Sequence, residues 1–403
     1  MRYEPISILT ATPAGYAWRR QRRKFWIAAQ PRWVAEQVVR RQSLPVTLKR
    51  LDFIHTAAWW RVDRFPELPG VDREDAAFRW VLFTSNFNGG WEPYLDSFLD
   101  SFGRGIRGLW GRTRGFPAFP GPGTRYDLQR WVATRLVCSE LHYSAHPGAT
   151  THDVRAALRV TREVRGFLGE LDAAATASVD RGTALAGLAR RLQGCLGETV
   201  PVARPWPALG PETANGSIGV LSLAPIRPGA EALIKEELHR LARLDRSPFA
   251  ELPGTHFARF GIIDRTRAGL HVGEQVVLRN SWLLFAADFD GQIDRESGRA
   301  RRPPMTEWRR FVSAIADEGQ VAALWEHCEG RGEARTLEEY LSRTLVDRFV
   351  GFRDYPFSTL RDVLTALEVQ DRFRRQVLDG AVAIDADVAR LARSVRAALA
   401  GAR

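Results

Sequence analysis

The stretch Val81-Leu82-Phe83-Thr84-Ser85-Asn86-Phe87-Asn88-Gly89 decides the fold, because the chain contains a second version of it. That version is Leu283-Leu284-Phe285-Ala286-Ala287-Asp288-Phe289-Asp290-Gly291. Both copies combine an apolar start with an Asn-Gly or Asp-Gly end. Such self-similarity inside one chain indicates a duplicated structural unit.

Segments on both sides of this stretch match as well. Residues 55–64 align with residues 256–265, and His146-Pro147 aligns with Tyr355-Pro356. The offset between the copies is 201 at the first match, 202 at the central stretch and 209 at the last. An offset that changes so little indicates insertions in loops. The sequence therefore predicts two versions of one module.

Length and composition indicate a globular protein of two or three domains. The chain has 403 residues, of which 45% are hydrophobic, and it contains no apolar run of the roughly 18 residues that a membrane span needs. The start of the sequence does not resemble a signal peptide. Cys138, Cys195 and Cys328 are widely spaced and form no CxxC pair. We therefore expect no disulfide framework, no thiolate zinc site and a cytoplasmic location.

Positive charge is concentrated near the start of the chain. Residues 1–50 carry eleven Lys and Arg side chains against Glu4 and Glu36, which is +9 of the total +11. Five of these side chains lie between Trp18 and Trp26: Arg19, Arg20, Arg22, Arg23 and Lys24. This segment predicts peripheral docking on an anionic membrane or an acidic partner, without specific nucleic-acid recognition. The alternative is a solvated basic loop.

Hydrophobic periodicity predicts the same order of elements in both copies. The predicted strands are 6–11, 55–62, 80–87 and 137–145 in the first copy, and 217–224, 255–264, 281–289 and 349–354 in the second. Helices are predicted at 124–135, 152–168 and 306–327 and from Thr359 onward. The predicted domains are a first module at 1–170, a helical segment and Pro-rich linker at 171–216, a second module at 217–380 and a C-terminal helix at 381–403.

Each module reads β-α-β-β-α-β, which is the ferredoxin-like pattern. Its antiparallel sheet has helices on one face only, so the other face needs a partner. We therefore predict an α+β protein with two tandem ferredoxin-like modules whose sheets pack together. The second and fourth strands of such a sheet lie at opposite edges, roughly 14 Å apart. His55 and His142 would then meet only if the two sheets curl into a barrel.

This order of elements resembles the α+β barrel superfamily, whose haem-binding members include the dye-decolourising peroxidases and chlorite dismutases. At the level of residues, the resemblance is to the GxxDG motif of those peroxidases. The motif appears here as Ala287-Asp288-Phe289-Asp290-Gly291, with Ala in place of the first Gly. The first copy has Asn88 where the second has Asp290. The resemblance implies a haem cofactor, a peroxidase-like oxidoreductase activity and a catalytic role for Asp290.

The fourth strand of the first module carries the best polar constellation. Glu140, His142, Ser144 and His146 alternate with apolar residues, so all four are predicted to face one way. Two imidazoles and a carboxylate can bind a metal or act as acid and base, although which metal is unknown. His142 and His146 are roughly 13 Å apart on a strand, too far to share one ion. The alternative is a solvated polar edge.

Other histidines and the Asp-Gly pair complete the candidate site. His55 and His256 occupy the same position in the two copies and are candidates for cofactor binding or for a shared structural bond. His327 ends a predicted helix, where the resemblance suggests an axial haem ligand. The alternative for His327 is a favourable cation at a helix end. Asn88-Gly89 and Asp290-Gly291 are also typical of turns with a glycine at positive φ.

Two functions remain open at this point. One is a haem- or small-molecule-dependent oxidoreductase with an apolar pocket between the sheets, lined by residues such as Trp59, Phe260 and Trp282. The other is a non-catalytic protein that binds a small apolar molecule, or a peroxidase accessory protein that docks through its basic segment. The preference for the first function rests on the resemblance.

Overall fold

Strands and helices form where the repeat predicts them. The computed structural model describes residues 3–13, 48, 51–62, 64–74, 78–111, 113, 115–118, 123–174, 213–268, 275–294 and 303–377. The basic side chains Arg19, Arg20, Arg22, Arg23 and Lys24 lie outside these residues, as do most of the predicted 171–216 segment and the C-terminal helix at 381–403.

The first repeat contains four strands and three helices among the described residues. They are β1 (Tyr3–Pro13), β2 (Ile54–Val62), β3 (Phe78–Asn88), α1 (Trp91–Trp110), α2 (Thr124–Ala133), β4 (Ser139–Ser144) and α3 (Thr151–Ala174). Strands β2 and β3 are rich in aromatic and β-branched residues, which favour extended structure. Helix α1 instead repeats its apolar residues at helical spacing and buries Tyr94, Leu95 and Phe98.

The second repeat follows the same order with added elements. They are β5 (Thr213–Pro225), α4 (Glu231–Ala242), β6 (Thr255–Ile263), β7 (Thr266–Ala268), β8 (Gln275–Val277), β9 (Trp282–Asp294), α5 (Met305–Glu318), α6 (Gln320–Ala323), α7 (Leu337–Thr344), β10 (Asp347–Arg353) and α8 (Leu360–Val377). Short 3-10 turns lie at Pro248–Glu251 and Leu324–His327.

One predicted helix is wrong in detail. The segment predicted as a single helix over 306–327 breaks at Gly319, whose φ of 81° ends α5. The chain restarts as the short helix α6 and then a 3-10 turn. The physical reason is that glycine adopts positive φ without the steric penalty that other residues carry.

The protein is α+β, and its strands form two four-stranded antiparallel sheets. The first sheet has the order β1-β3-β2-β10 and the second has the order β4-β6-β9-β5. The fourth strand of each repeat therefore pairs with the second strand of the other repeat. The expected separation of second and fourth strands at opposite edges of one sheet is wrong, because these fourth strands exchange between the repeats.

The edges of the two sheets also meet. Ile8 bridges Leu136, and the Val137 N–H donates to the Ser7 carbonyl over 2.8 Å. At the other edge Ser222 bridges Leu345, and the Val346 N–H donates to the Leu221 carbonyl over 2.9 Å. The two sheets are thus joined at both edges, and the inner face of each is turned toward the other.

Three apolar clusters hold this arrangement together. Two of them lie between a sheet and its helices, one with α1 and α2 and the other with α4, α5 and α7. The third lies between the sheets and contains side chains from both. Its largest members are aromatic: Trp60, Phe65, Trp80 and Trp282. Burial of each side chain of this size stabilises the folded state by about 1.5–3 kcal/mol.

The chain divides into two compact units. One comprises Met1–Pro147 and Pro205–Phe357 and contains both sheets, and the other comprises Gly148–Arg204 and Ser358–Arg403. In the second unit α3 packs against α8. Both helices begin with the same bond pattern, in which Asp153 pairs with Thr150 and Asp362 pairs with Thr359. The domain boundaries predicted from the repeat stay a prediction. Among the residues that the structure describes, no helix has the length and apolarity of a membrane span.

Candidate functional site

The space between the two sheets is apolar at one end and polar at the other. Alternate residues of β3 and β9 face inward, and they change from apolar to polar along each strand. From the apolar to the polar end these are Trp80, Leu82, Thr84, Asn86 and Asn88 on β3, and Trp282, Leu284, Ala286, Asp288 and Asp290 on β9. The apolar half forms the inter-sheet cluster, so any polar chemistry belongs to the other half.

Two histidines reach the polar end because each lies on a β-bulge. The pairing of β2 with β3 skips His55, and the pairing of β6 with β9 skips His256. A bulge places one extra residue in a strand and re-aims its side chain, and bulges are frequent beside active sites. His55 is fully buried and His256 is 1% exposed. The repeat thus places two equivalent imidazoles at equivalent backbone irregularities.

His256 forms a pair with a carboxylate. Its Nε2 lies 2.8 Å from Asp290 Oδ1. An ionised carboxylate only accepts hydrogen bonds, so Nε2 carries the proton and Nδ1 carries the lone pair when the ring is neutral. Nδ1 is buried and has no hydrogen-bond partner among the residues that the structure describes. This is the arrangement of a general base, with one ring nitrogen oriented by a carboxylate and the other available to a reacting group.

His55 has a different set of partners, although it occupies the equivalent position. Its Nε2 lies 3.1 Å from Asn88 Oδ1, and its Nδ1 lies 2.7 Å from the Tyr355 hydroxyl. The Asn88 oxygen only accepts, so Nε2 donates and Nδ1 accepts from Tyr355. The same hydroxyl lies 3.4 Å from His146 Nε2. A hydrogen-bonded chain therefore joins Asn88, His55, Tyr355 and His146.

The three imidazoles and Tyr355 form one cluster. The ring centroids of His55 and His146 are 5.5 Å apart, and those of His146 and His256 are 6.5 Å apart. Phe257 packs against both His55 and His146, at 5.5 Å and 5.2 Å. Burial, reinforced by repulsion from His256, lowers the pKa of His146 to about 4. His146 is therefore neutral at pH 7 and can donate or accept a proton within the cluster.

A second polar layer lies one step deeper between the sheets. Asp288 Oδ1 is 3.2 Å from Arg353 Nη2, and Asp288 Oδ2 is 3.2 Å from Thr56 Oγ1. Asn86 Nδ2 donates to Thr56 Oγ1 over 2.8 Å and approaches Asp288 Oδ2 at 3.4 Å. Gly219 faces this layer, and a Cβ there would meet Asp288 Oδ1 at 2.9 Å. The absence of a side chain at Gly219 therefore leaves room for the ion pair.

Arginines dominate the charge of this layer. Arg259 is 3% exposed and donates to Ser85 O, Asn86 Oδ1 and Ser7 Oγ. Burial lowers the pKa of Arg259 to about 10, and Asp288 opposes that shift. Burial and the charge of Arg353 likewise lower the pKa of Arg348 to about 9. Of these three arginines, Arg353 contacts the carboxylate of Asp288 directly.

A small cavity lies in the deeper layer. Its volume is about 20 Å³, and it is partly open to solvent. Its lining includes Thr56, Asn86, Arg259, Asp288 and Arg353. Phe257 lines the same cavity and also contacts the histidine cluster. We call these two layers and the cavity the inter-sheet site.

The fourth strand of the first repeat divides its polar residues between two faces. Glu140 contacts helix α4, where Glu140 Oε2 lies 2.7 Å from His239 Nε2 and Glu140 Oε1 lies 3.4 Å from Lys235 Nζ. His142 instead lies near Arg259; burial, together with that charge, lowers the pKa of His142 to about 3. The prediction that Glu140, His142 and His146 share a face is wrong, because Glu140 lies on a β-bulge.

The other predicted residues have separate places. His327 ends a 3-10 turn on the helical side of the second sheet, where its carbonyl accepts from the Arg227 N–H. Gly89 has the positive φ expected of a turn, 93°. Asp290-Gly291 does not form the predicted turn, because β9 continues through it to Asp294. The strand pairing with β5 extends over the same residues.

The described residues between the sheets do not fit a haem. A haem needs apolar contact on both faces of the macrocycle and an open position for an iron ligand. Here the imidazole rings pack on one another and on Phe257 and Tyr355, and the small cavity has Arg259, Asp288 and Arg353 in its lining. Trp59, Phe260 and Trp282, expected to line an apolar pocket, lie in three different packed clusters. Among the described residues, no three His, Cys, Asp or Glu side chains are arranged to hold a metal ion.

Comparison with known proteins adds no assignment. No protein-family model matches the sequence, and no curated protein matches it significantly. The function is therefore argued from the inter-sheet site alone.

Sequence analysis identified the histidines of this site but not its arginines. His55, His146, His256 and Asp290 were candidates, and the structure brings all four together. Arg259, Arg353, Asp288 and Tyr355 were missed as site residues. A signal for two of them existed, because Arg353 and Tyr355 occupy the positions that match Ser144 and His146 of the polar strand in the first repeat.

Proposed function

We propose that the protein is an enzyme that acts on a small molecule between the two sheets by proton transfer, with His256 as the base. The observation that carries this proposal is the His256–Asp290 pair, whose second imidazole nitrogen is buried and has no hydrogen-bond partner within the described part of the chain. Buried donors and acceptors are nearly always paired in proteins, and the exceptions often serve chemistry. A ring nitrogen that is left unpaired in this way is available to accept a proton from a substrate atom.

The chemical step follows from the geometry. A substrate C–H bond next to a carbonyl breaks, its electron pair moves into the carbonyl to give an enolate, and His256 Nδ1 takes the proton. Asp290 holds the ring and stabilises the imidazolium that forms. The chain of Asn88, His55, Tyr355 and His146 lies beside this pair and can return a proton to the product. The reaction needs no oxidant.

We also propose that the fold consists of two duplicated ferredoxin-like modules. It is supported by the matched order of elements and by the matched bulges at His55 and His256. The oxidoreductase class and the haem rest on the resemblance alone, and no step above depends on them. A non-catalytic ligand-binding protein is the alternative, and the experiment below separates it from an enzyme.

The test is hydrogen exchange in D₂O. The protein is incubated with small ketones and small 2-oxo acids, and loss of the C–H signals next to the carbonyl is followed by NMR. We expect enzyme-dependent exchange, and the His256→Gln variant should lose it by about 100-fold or more.

The matched control for this experiment is His239→Gln. His239 also contacts a carboxylate, that of Glu140, at 2.7 Å, but it lies on the helical side of its sheet. This variant should keep full activity. Binding of a carbonyl compound without any exchange would support the non-catalytic alternative, and exchange that survives His256→Gln would remove His256 as the base.

A further inference from the structure

We propose that one face of helix α3 binds the phosphate backbone of a nucleic acid, without reading its sequence. The face, which we call the arginine face, is formed by Arg159, Arg162 and Arg165 together with Gly166 and Gly169. This inference goes beyond the proposed function and does not depend on it, because α3 belongs to one compact unit and the inter-sheet site belongs to the other.

The three arginines form one row along the helix. Because each residue of an α-helix is rotated by about 100°, Arg159, Arg162 and Arg165 lie within an arc of about 120°. Arg162 and Arg165 are exposed, and Arg159 is half-buried. None of the residues that the structure describes forms an ion pair with any of the three. Glu163 lies outside the arc, so the arginine face itself is positively charged.

The matching helix of the second repeat shows that helix packing does not require these arginines. Helices α3 and α8 bury the same face with the same residue types, namely Val154, Ala157 and Val160 in α3 and Val363, Ala366 and Val369 in α8. Arg159 and Arg162, however, match Glu368 and Asp371 of α8. A helix with the same buried face thus forms with acidic residues at these positions. The positive charge of α3 therefore points to a role of its exposed face.

Two glycines lie within the same arc as the arginines. Gly166 and Gly169 are exposed, and a Cβ at either position would meet no atom within 4 Å. Glycine in the interior of a helix destabilises it relative to alanine, so packing within the chain does not account for these residues. Glycine does allow a ligand to approach the helix backbone closely. The two glycines therefore leave space between the arginine side chains for a bulky anionic backbone.

The chemistry of the face favours a nucleic acid over a protein or a membrane. Among the described residues of α3, no large hydrophobic side chain is exposed. Protein interfaces depend on apolar anchors and membrane-surface helices depend on an apolar face, whereas contacts of Arg and Lys with phosphates supply nonspecific binding to nucleic acid. Arg159 and Arg165 are separated by roughly 9 Å along the helix, and one strand of a duplex presents about three phosphates over that length. Each of the three arginines can therefore contact one phosphate.

The test is binding of the full-length protein to a short fluorescein-labelled DNA duplex of arbitrary sequence, measured by fluorescence anisotropy at several salt concentrations. The unmodified protein should bind with an affinity that falls steeply as the salt concentration rises. The variant Arg159→Gln/Arg162→Gln/Arg165→Gln should bind at least about tenfold more weakly. Its slope of log affinity against log salt should be smaller by about two to three, because each lost phosphate contact lowers the slope by about one.

A charge-matched variant separates the arginine face from the charge of the whole protein. Arg240→Gln/Arg309→Gln/Arg343→Gln also removes three arginines from helix surfaces, on α4, α5 and α7, and each of them forms an ion pair with a glutamate. This variant should bind the duplex within about twofold of the unmodified protein. Equal loss of binding in the two triple variants would overturn the inference, and so would absence of duplex binding by the unmodified protein.

Gly166→Leu tests the close approach to the helix. Leucine is a better helix former than glycine, so the melting temperature should stay the same or rise. The added side chain should nevertheless weaken duplex binding by about fivefold or more, because it fills the space between the arginines. Unchanged duplex binding by Gly166→Leu would contradict the close approach that the inference requires.

Vesicles that contain phosphatidylserine serve as the membrane probe for the same variants. The inference predicts that loss of the three arginines affects duplex binding. Vesicle binding that depends on these arginines, with duplex binding unchanged by their loss, would overturn the assignment to nucleic acid. These outcomes are distinct from failure of the proposed function, which is measured by hydrogen exchange and depends on His256.

Discussion

For single residues, two matching positions of the chain have different chemical environments. His55 and His256 lie on matching bulges, but Asn88 faces one and Asp290 faces the other. The amide oxygen of Asn88 only fixes the tautomer of the His55 ring, whereas the carboxylate of Asp290 also stabilises the protonated form of the His256 ring. This single difference is why we assign the base to His256. Asp290 matters here as the partner of a histidine rather than through the GxxDG resemblance.

The buried histidines make stability depend on pH. His146 has a pKa lowered from 6.5 to about 4 by burial and by His256. As the pH falls below about 6.5, the unfolded chain takes up the proton first, so stability decreases until the pH reaches about 4. At pH 5 the loss from this one residue is about 2 kcal/mol relative to pH 8.

Denaturant unfolding at pH 8 and pH 5 measures this loss. His146→Gln should reduce the difference in unfolding free energy between the two pH values by about 2 kcal/mol. His239→Gln, which removes a part-exposed histidine, serves as the control. An unchanged pH dependence in His146→Gln would show that His146 is not held neutral by its surroundings.

At the scale of elements, the sequence predicted positions well and irregularities poorly. The strands and most helices lie within a few residues of their predicted bounds, because period-two and helical patterns report burial directly. Such patterns do not reveal β-bulges. The prediction that Glu140 and His142 share a face was wrong for this reason. Helix α7 was missed, although Thr336 and Glu339 form a capping box before its apolar residues.

The exchanged strand β4 depends on close contact with β6. A Cβ at Gly261 would lie 2.6 Å from the Cys138 carbonyl oxygen, where strand β4 begins. Because a backbone atom cannot move aside cheaply, Gly261→Ala should lower the free energy of unfolding by about 2 kcal/mol or more. Thermal and denaturant unfolding measure the change.

Gly332→Ala is the matched control for this substitution. A Cβ at Gly332 meets no atom within 4 Å, and its φ lies outside the range that favours glycine. We expect a change within about 0.5 kcal/mol there. Equal stability of the two variants would contradict the close pairing of β4 with β6.

At the scale of the whole molecule, each repeat supplies an edge strand to the other. The matching order of strands was predicted from the sequence, but the exchange was not, because periodicity within a strand does not identify its neighbours. The meeting of His55 and His146 depends on this exchange. It also depends on the pairing of β10 with β2, which brings Tyr355 beside His55.

Separate expression of residues 1–204 and 205–403 tests the exchange. Each half lacks one of the two strands that pair with its second strand, so neither should fold alone as a monomer. Mixing the halves should restore the circular-dichroism spectrum and a cooperative melting transition. A monomeric half with a sharp transition of its own would contradict the exchanged arrangement.

NMR of the imidazole nitrogens of ¹⁵N-histidine-labelled protein tests directly whether His256 can act as the base. Neutral His256 should carry its proton on Nε2 and have a bare Nδ1, whose shift should move when a small 2-oxo acid is added. Asp290→Asn should alter that state, and His239→Gln should leave it unchanged. A neutral ring protonated on Nδ1, or an Nδ1 signal that responds to neither the 2-oxo acid nor Asp290→Asn, would contradict a base at His256 in the inter-sheet site.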